Sequence, residues 1–287
     1  LKELAGLALP QTWEEGLPFD LKAGPGPAKV RLKTRYHWQI TPIYNVIARL
    51  DGEQDPDQWV VRGNHHDAWV YGAADPVSGV VTLLEEARVL AALAKSGRRP
   101  KRTIIYALWD AEEQGMIGST EWVEKHRREL MDKAVAYINT DLYSRGFLEV
   151  GGSHSLQKFV TGIARDVTDP QTGDRVGDRL DKYIATSDRW SFNASSSDIK
   201  SAANGLVPMM PLGGGSDFTA FLHHLGIPTL QIGYFGEGLG GEFHSRYDTY
   251  DNFQKYGDPD FDYGVTMVQT TGRAVMRLAN AQRLPFT

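Results

Sequence analysis

The chain has 287 residues, of which 41% are hydrophobic, so it is long enough to bury a full core and we expect one large α/β domain. Its net charge of -5 argues against nucleic acid or an anionic membrane surface as a partner. It has no cysteine, which excludes disulfides and thiolate zinc sites but leaves the redox compartment open. No apolar run approaches the roughly eighteen residues of a membrane-spanning helix, so we expect no membrane insertion by this segment.

Apolar runs predict strands at residues 44–50, 59–63, 103–109, 135–140 and 229–234. Helical patterns alternate with them at residues 80–95, 120–128, 155–167, 216–225 and 259–281. This alternation is typical of a mostly parallel, mixed central sheet with helices on both faces, in which sites lie at the carboxyl ends of the strands. The polar tract at residues 169–204 has the weakest pattern, and we expect a loop with short helices there.

The second predicted strand ends in a histidine with a carboxylate close by. His65 follows the apolar residues 59–61, and Asp67 stands two positions further on. A ligating imidazole usually donates its other ring N–H to a carboxylate, which fixes the tautomer and raises the basicity of the ring. The spacing therefore predicts a metal ligand at His65 that Asp67 orients.

Asp75 precedes Pro76, so its carboxylate is held in a constrained turn. An Asp-Pro bond can also be cis. Such a turn can direct one carboxylate toward two metal ions, although an Asp before proline is more often only a turn former.

Two adjacent acids, Glu112 and Glu113, follow the apolar strand run at 103–109. At a buried strand end they repel and desolvate each other, which a protein tolerates when a cation is present or when one of them is protonated. The pair therefore predicts one carboxylate on a metal and one off it, able to take a proton from water.

Asp141 ends the next apolar run, and His244 lies in a glycine-rich region far downstream. Each residue alone has an ordinary interpretation, since a lone histidine in a loop is more often a surface residue and a Glu-Glu pair is usually solvated. Together, the oxygen and imidazole ligands at these strand ends and loops suit zinc.

Four stretches carry a specific resemblance: GNHHDAWVYGAADPVSG at 63–79, RTIIYALWDAEEQGMIGSTEW at 102–122, AYINTD at 136–141 and FHSRYDTYD at 243–251. They resemble the zinc peptidase family M28, and within it the branch of glutamate carboxypeptidase II and the transferrin receptor. The similarity runs over residues 41–281 in matching order.

The resemblance implies a two-zinc metallo-exopeptidase that hydrolyses a peptide bond of a peptide or dipeptide. It implies that Asp75 bridges two zinc ions, one also held by His65 and Asp141 and the other by Glu113 and His244. A water shared by the two ions is then the nucleophile, with Glu112 as its general base and Asp67 as a second catalytic residue.

The resemblance is weaker at the residues expected to line the substrate pocket. Residues 229–233 and Glu149 stand where acidic-dipeptide enzymes carry an arginine cluster, so we expect no preference for acids. Phe243 replaces a tyrosine that contacts substrate, while Gly214 and Gly215 keep the backbone accessible. An aminopeptidase or dipeptidase is therefore as well supported as a carboxypeptidase.

Glu121 and Glu124 match positions that hold a structural calcium ion in the branch. We expect them to open a helix after Ser119 and Thr120, where acids are favoured by the helix dipole in any case.

We expect an N-terminal segment at residues 1–40 and a single peptidase domain at residues 41–287. The apical and helical dimerisation domains of the resembling enzymes find no counterpart, so the chain is expected to be the catalytic core of a longer parent that forms a homodimer. The resemblance also implies an extracytoplasmic location.

The alternative is a non-catalytic receptor or scaffold of the transferrin receptor type. Retention of all the expected ligands together with Glu112 argues against it, because an inactive copy has no reason to keep them.

Overall fold

The computed structural model describes residues 7–8, 22–23, 29–186, 196–238 and 240–286. The chain forms two compact units, Leu1–Pro42 and Ile43–Thr287. The described part of the first unit contains two short antiparallel strands, β1 (Leu7–Ala8) and β2 (Lys22–Ala23). The second unit carries every residue of the expected site.

The second unit is built on a six-stranded sheet with the strand order β3-β5-β4-β6-β8-β7. Its strands are β3 (Val46–Leu50), β4 (Asp55–His65), β5 (Arg102–Trp109), β6 (Ala134–Asn139), β7 (Gly146–Gly152) and β8 (Thr229–Gly236). The four inner strands β5, β4, β6 and β8 run parallel, and the edge strands β3 and β7 are antiparallel to their neighbours. The predicted mixed α/β sheet is confirmed.

Eight α-helices connect and cover the strands in the described residues. They are α1 (Ser78–Lys95), α2 (Ile117–Lys125), α3 (Arg127–Lys133), α4 (Gln157–Ala164), α5 (Val176–Thr186), α6 (Ser196–Ala203), α7 (Tyr250–Asn252) and α8 (Asp262–Asn280). Shorter helical turns lie at Ala73–Val77, His154–Leu156, Ala220–His224 and Phe253–Gly257. No helix among them is both long and apolar enough to cross a bilayer.

The inner strands separate two buried cores because successive side chains of a strand point to opposite faces. Val60 of β4 and Ile104 of β5 join the core that includes residues of α1, α4 and α8. Their neighbours Val61 and Ile105 join the second core, which includes residues of α2, α3 and the turn Ala220–His224. Burial on both faces explains why the inner strands are almost continuous apolar runs.

Several predicted boundaries are wrong. The helix expected at 120–128 is α2, which begins at Ile117 after Met116 at a φ of 54°. The helix expected at 216–225 is only the turn Ala220–His224. By contrast, the polar tract at 169–204 contains the short helices α5 and α6, as expected.

Strand β7 was not predicted. Three of its seven residues are glycines, which weaken a strand signal because they bring no side chain to pack. It forms because β8 offers an unpaired edge, and the pairing runs from Gly146 opposite Gly236 to Gly152 opposite Leu230.

Candidate metal centre

Parallel strands bring the expected ligands to one edge of the sheet. His65 is the last residue of β4 and pairs with Trp109, the last residue of β5. Glu112 and Glu113 follow β5, and Asp141 follows β6. The carboxyl ends of three adjacent strands therefore supply most of the site.

One group of possible ligands contains His65, Asp75 and Asp141. The His65 Nε2 atom lies 2.9 Å from Asp141 Oδ1 and 3.1 Å from Asp75 Oδ1. The His65 side chain is only 1% exposed, so these contacts are shielded from bulk water.

A second group contains Asp75, Glu113 and His244. The His244 Nε2 atom lies 3.0 Å from Asp75 Oδ2 and 3.2 Å from Glu113 Oε2. Asp75 thus faces one histidine with each of its two oxygens. The structure brings all five expected ligand residues together, in two groups that share Asp75.

The tautomer of His65 leaves a lone pair at the centre of the first group. Its Nδ1 atom lies 3.0 Å from the backbone carbonyl of Asp67, which can only accept a hydrogen bond. A neutral His65 therefore carries its proton on Nδ1, and its Nε2 lone pair faces two carboxylate oxygens. Without a cation the lone pair and the carboxylate oxygens repel each other. Burial lowers the pKa of His65, but the neighbouring carboxylates outweigh it and raise that pKa above its ordinary range.

Asp75 gives a second indication that the site fits a cation. Its Oδ1 atom is buried and accepts no hydrogen bond from the described residues. A buried carboxylate oxygen without a donor is costly unless a metal ion or another cation satisfies it. Two histidines and three carboxylates form a donor set of nitrogen and oxygen that suits divalent cations.

The turn that holds Asp75 has an unusual backbone. The Asp75–Pro76 peptide bond is cis, and Gly72 before the turn has a φ of 75°. His244 also lies in the left-handed region, with a φ of 54°. A non-glycine residue there is strained by of order 1–3 kcal/mol, and such strain is concentrated at functional sites.

Glu112 belongs to neither ligand group in the described residues. Burial raises the pKa of its carboxyl to about 8, and repulsion from Asp141, Asp217 and Glu113 adds to that effect. Burial likewise raises the pKa of Glu113. The two acids therefore share a crowded, poorly hydrated region, as the sequence led us to expect.

Asp67 connects the two acids to the histidine. Its carboxylate accepts the backbone N–H groups of Glu112 at 3.0 Å and Glu113 at 3.2 Å. The His65 ring is 3.5 Å from that carboxylate and closer to the Asp67 carbonyl. Asp67 thus lies beside His65, but the main-chain carbonyl rather than the carboxylate makes the closer contact with the ring.

Two residues that support the ligands were missed from the sequence. Asp248 is buried and accepts the backbone N–H groups of Ala74 at 2.6 Å and Asp75 at 3.0 Å. Asn64 is buried and donates to the carbonyl of Asp141 at 3.2 Å. Asp248 lies in the quoted stretch at 243–251, but a single polar residue carries no spacing signal.

Aromatic side chains surround His244. The Trp69 ring stacks on the imidazole at a centroid distance of 5.2 Å, and its backbone N–H donates to Glu113 at 2.6 Å. Phe243 stacks on the imidazole at 3.8 Å. Trp69 and Phe243 are 58% and 51% exposed, so both present ring surface at the mouth of the site.

Gly214 and Gly215 lie in an exposed loop, and a Cβ atom on either would meet nothing within 4 Å. The loop continues into Ser216, whose hydroxyl accepts a hydrogen bond from Asn139 of β6 at 2.8 Å. Asp217 follows, fully buried, and burial raises the pKa of its carboxyl to about 7.

Glu121 and Glu124 are exposed on α2. Because that helix begins at Ile117, neither residue opens it as expected. In the part of the chain that the structure describes, neither joins a group of three possible metal ligands.

Comparisons with known proteins identify a family and a fold that this chain resembles. The model of peptidase family M28 matches residues 45–262. "Probable glutamate carboxypeptidase VP8" of Zea mays is 39% identical over 100% of this chain and 38% of its own length. "Aminopeptidase NAALADL1" of Mus musculus is 34% identical over 100% of this chain and 39% of its own length. The chain therefore spans less than half of these relatives.

Among solved structures, BSAP, a zinc aminopeptidase from Bacillus subtilis, superposes with a TM-score of 0.56 at 17% identity. The match covers 83% of this chain and 51% of that chain. At this identity the likeness establishes a shared fold.

Proposed function

Because the chain belongs to peptidase family M28, we propose that it is the catalytic unit of a zinc metallo-exopeptidase that hydrolyses a peptide bond of a peptide or dipeptide. One observation carries this proposal. The two oxygens of Asp75 each face a different histidine, and each histidine has a further carboxylate beside it.

We assign one zinc ion to His65, Asp75 and Asp141, and the other to Asp75, Glu113 and His244. Imidazole nitrogen and carboxylate oxygen are common zinc ligands, and the absence of cysteine leaves no thiolate to compete. When bound, the pair supplies Lewis acidity, which activates water and stabilises the charge that develops on the substrate carbonyl. Calcium is not part of the proposal, because neither Glu121 nor Glu124 joins a group of three possible metal ligands among the described residues.

We assign the proton transfer from water to the leaving amine to Glu112. Its carboxylate accepts a proton from the attacking water and returns it to the leaving amine. Glu112 is suited to this task because it is buried beside the proposed ligands and belongs to neither ligand group. Asp67 positions Glu112 and Glu113 through their backbone N–H groups.

The substrate is held beside this machinery. We assign Phe243 and the open glycine loop at Gly214 and Gly215 to substrate contact, because both are exposed and the loop offers unobstructed backbone groups. Phe243 brings apolar surface and no hydroxyl. The relatives include proteins named as a probable glutamate carboxypeptidase and as an aminopeptidase. A peptide panel that tests the proposal therefore needs substrates of both kinds.

The test is hydrolysis of a peptide panel by the zinc-loaded chain and its Glu112→Gln variant. The panel contains aminoacyl, dipeptidyl and acidic-dipeptide substrates. We expect Glu112→Gln to keep its zinc and lose about 10²- to 10⁴-fold in kcat, the usual contribution of a general base. Glu53→Gln, a matched change at an exposed position, should leave kcat unchanged.

Two outcomes would overturn the proposal. Full activity in Glu112→Gln would remove the residue from the mechanism. A zinc-loaded wild-type chain that hydrolyses none of the panel would favour a receptor or scaffold role instead.

A further inference from the structure

Glu149 is a half-buried acid without a partner among the described residues. It lies in the middle of β7, and no hydrogen bond or ion pair joins its carboxylate to any described residue. Burial alone raises the pKa of this carboxyl. Partial burial removes some of the water around this carboxylate, and no described side chain compensates for that loss.

The strand register places Glu149 level with the metal centre. Asn139 of β6 pairs with Gln231 of β8, so Asp141, two residues further on, is level with Gly233. Gly233 in turn pairs with Glu149 of β7. Neighbouring strands lie about 4.8 Å apart, so the Glu149 backbone is roughly 10 Å from that of Asp141.

Glu149 shares its sheet face with the glycine loop. Alternation along β7 puts Gly151 on the same face, and a Cβ there would meet the Leu212 side chain at 2.5 Å. Gln231 lies opposite Gly151 and accepts a hydrogen bond from Asn139 at 2.6 Å. The segment from Leu212 to Ser216 therefore covers the row of Asn139, Gln231 and Gly151, which is next to the row that contains Glu149.

Aromatic rings and one cation lie near the start of β7. Phe147, two residues before Glu149, packs against the first core and stacks on Tyr183 of α5 at a centroid distance of 3.8 Å. Arg179 lies over the Phe147 ring, but its guanidinium is bound to Asp169 at 2.7 Å and to Glu237 at 2.6 Å. The cation closest along this strand is thus already neutralised by two other carboxylates.

The residues that flank Glu149 on this face bring no charge of their own. They are Gly151, Leu212, Gln231 and Gly233. A carboxylate that has no partner among the described residues and lies beside neutral groups attracts a cation and repels an anion.

We propose that Glu149, whose backbone lies about 10 Å from that of Asp141, binds a positively charged group of the substrate, an ammonium or guanidinium. The inference rests on the proposed peptidase function and adds a substrate class to it. An extended residue spans about 3.5 Å, so the charge sits either on a long basic side chain next to the scissile bond or on an amine further along the peptide. Both sources present the same chemistry to Glu149.

The test compares kcat/KM of zinc-loaded wild type and Glu149→Gln on matched peptides. One set is neutral, one has lysine on the acyl side of the scissile bond and one has lysine on the amine side. Two further sets carry ε-acetyl-lysine or a blocked N-terminus in the same sequences. Glu53→Gln serves as the exposed control, and circular dichroism verifies folding.

We expect wild type to favour a basic peptide over its neutral match by roughly ten- to hundredfold, the range of a hydrogen bond to a charged group. Glu149→Gln should abolish that preference and change the neutral peptide by less than about twofold. Loss of the preference with ε-acetyl-lysine identifies the side chain as the source, whereas loss with a blocked N-terminus identifies the amine. The reversed variant Glu149→Arg should favour a glutamate-containing peptide instead.

Hydrolysis of neutral and basic peptides at equal rates would overturn this inference and leave the peptidase function standing. So would a basic preference that survives in Glu149→Gln. Failure of wild type to hydrolyse any peptide would overturn the peptidase function itself, so the two failures are distinguishable.

Discussion

Asp248 fixes the turn that carries Asp75, and its replacement tests how strongly that turn determines metal affinity. The carboxylate is 3% exposed and accepts two backbone hydrogen bonds, from Ala74 at 2.6 Å and Asp75 at 3.0 Å. Burial raises the pKa of Asp248, while these two N–H groups lower it. In Asp248→Ala both N–H groups lose their acceptor.

The expected loss of stability follows from the two N–H groups that are left without an acceptor. Each buried donor left unsatisfied costs about 1–3 kcal/mol, so Asp248→Ala should lower the free energy of unfolding by about 2–6 kcal/mol. Asp248→Asn should lose roughly half as much, because its amide oxygen still accepts one N–H. Residues that orient metal ligands typically contribute about 10- to 100-fold to metal affinity, and we expect a loss of this size for zinc.

Urea unfolding of the metal-free chain measures the first effect, and competition with a chromophoric chelator measures the second. Asp251→Ala is the matched control, since Asp251 is exposed three residues further on. A destabilised Asp248→Ala variant with unchanged zinc affinity would refute the idea that this turn presents Asp75 to the metals. A change in unfolding free energy below about 0.5 kcal/mol would refute the hydrogen-bond argument.

Further predictions concern stability and pH. Glu86→Ala should cost about 3–5 kcal/mol in urea unfolding because it leaves Arg62 buried and unpaired, whereas replacing both by leucine should be close to neutral. Asp217 has a pKa of about 7 against an ordinary 3.8, so the folded metal-free chain holds a proton that the unfolded chain releases. Its stability should therefore fall by about 3 kcal/mol as pH rises from 4 to 7, and Asp217→Asn should flatten that curve in chelator-treated samples. Phe221→Ala should lower the free energy of unfolding by about 3–5 kcal/mol, because its buried ring stacks on Tyr137 at 3.8 Å.

The local sequence pattern was sufficient to predict the inner strands of the sheet. The later part of β4 and most of β5 and β6 are buried on both faces, so each strand contains an apolar run, which in β4 is only residues 59–61. A polar ligand lies at or shortly after the end of each strand. Because they are parallel and adjacent, their carboxyl ends meet at one edge. This is why His65 and Asp141 could be placed in one site from the sequence.

Features that depend on tertiary contacts were not predictable in the same way. Strand β7 has a glycine-rich sequence and forms only against β8. Asp248 supports Asp75 across more than 170 positions of sequence, and the bond exists only once the two loops meet. The closer contact of His65 with the Asp67 carbonyl depends on a backbone orientation that side-chain identity does not specify.

The central claim is a two-zinc centre in which Asp75 is shared. The most direct test is the zinc content of the dialysed chain, measured by mass spectrometry of the metal in wild type, His244→Ala and Asp75→Ala. Shared ligation predicts about two zinc ions in wild type, about one in His244→Ala and close to none in Asp75→Ala. A single zinc ion in wild type, or two retained in Asp75→Ala, would contradict it.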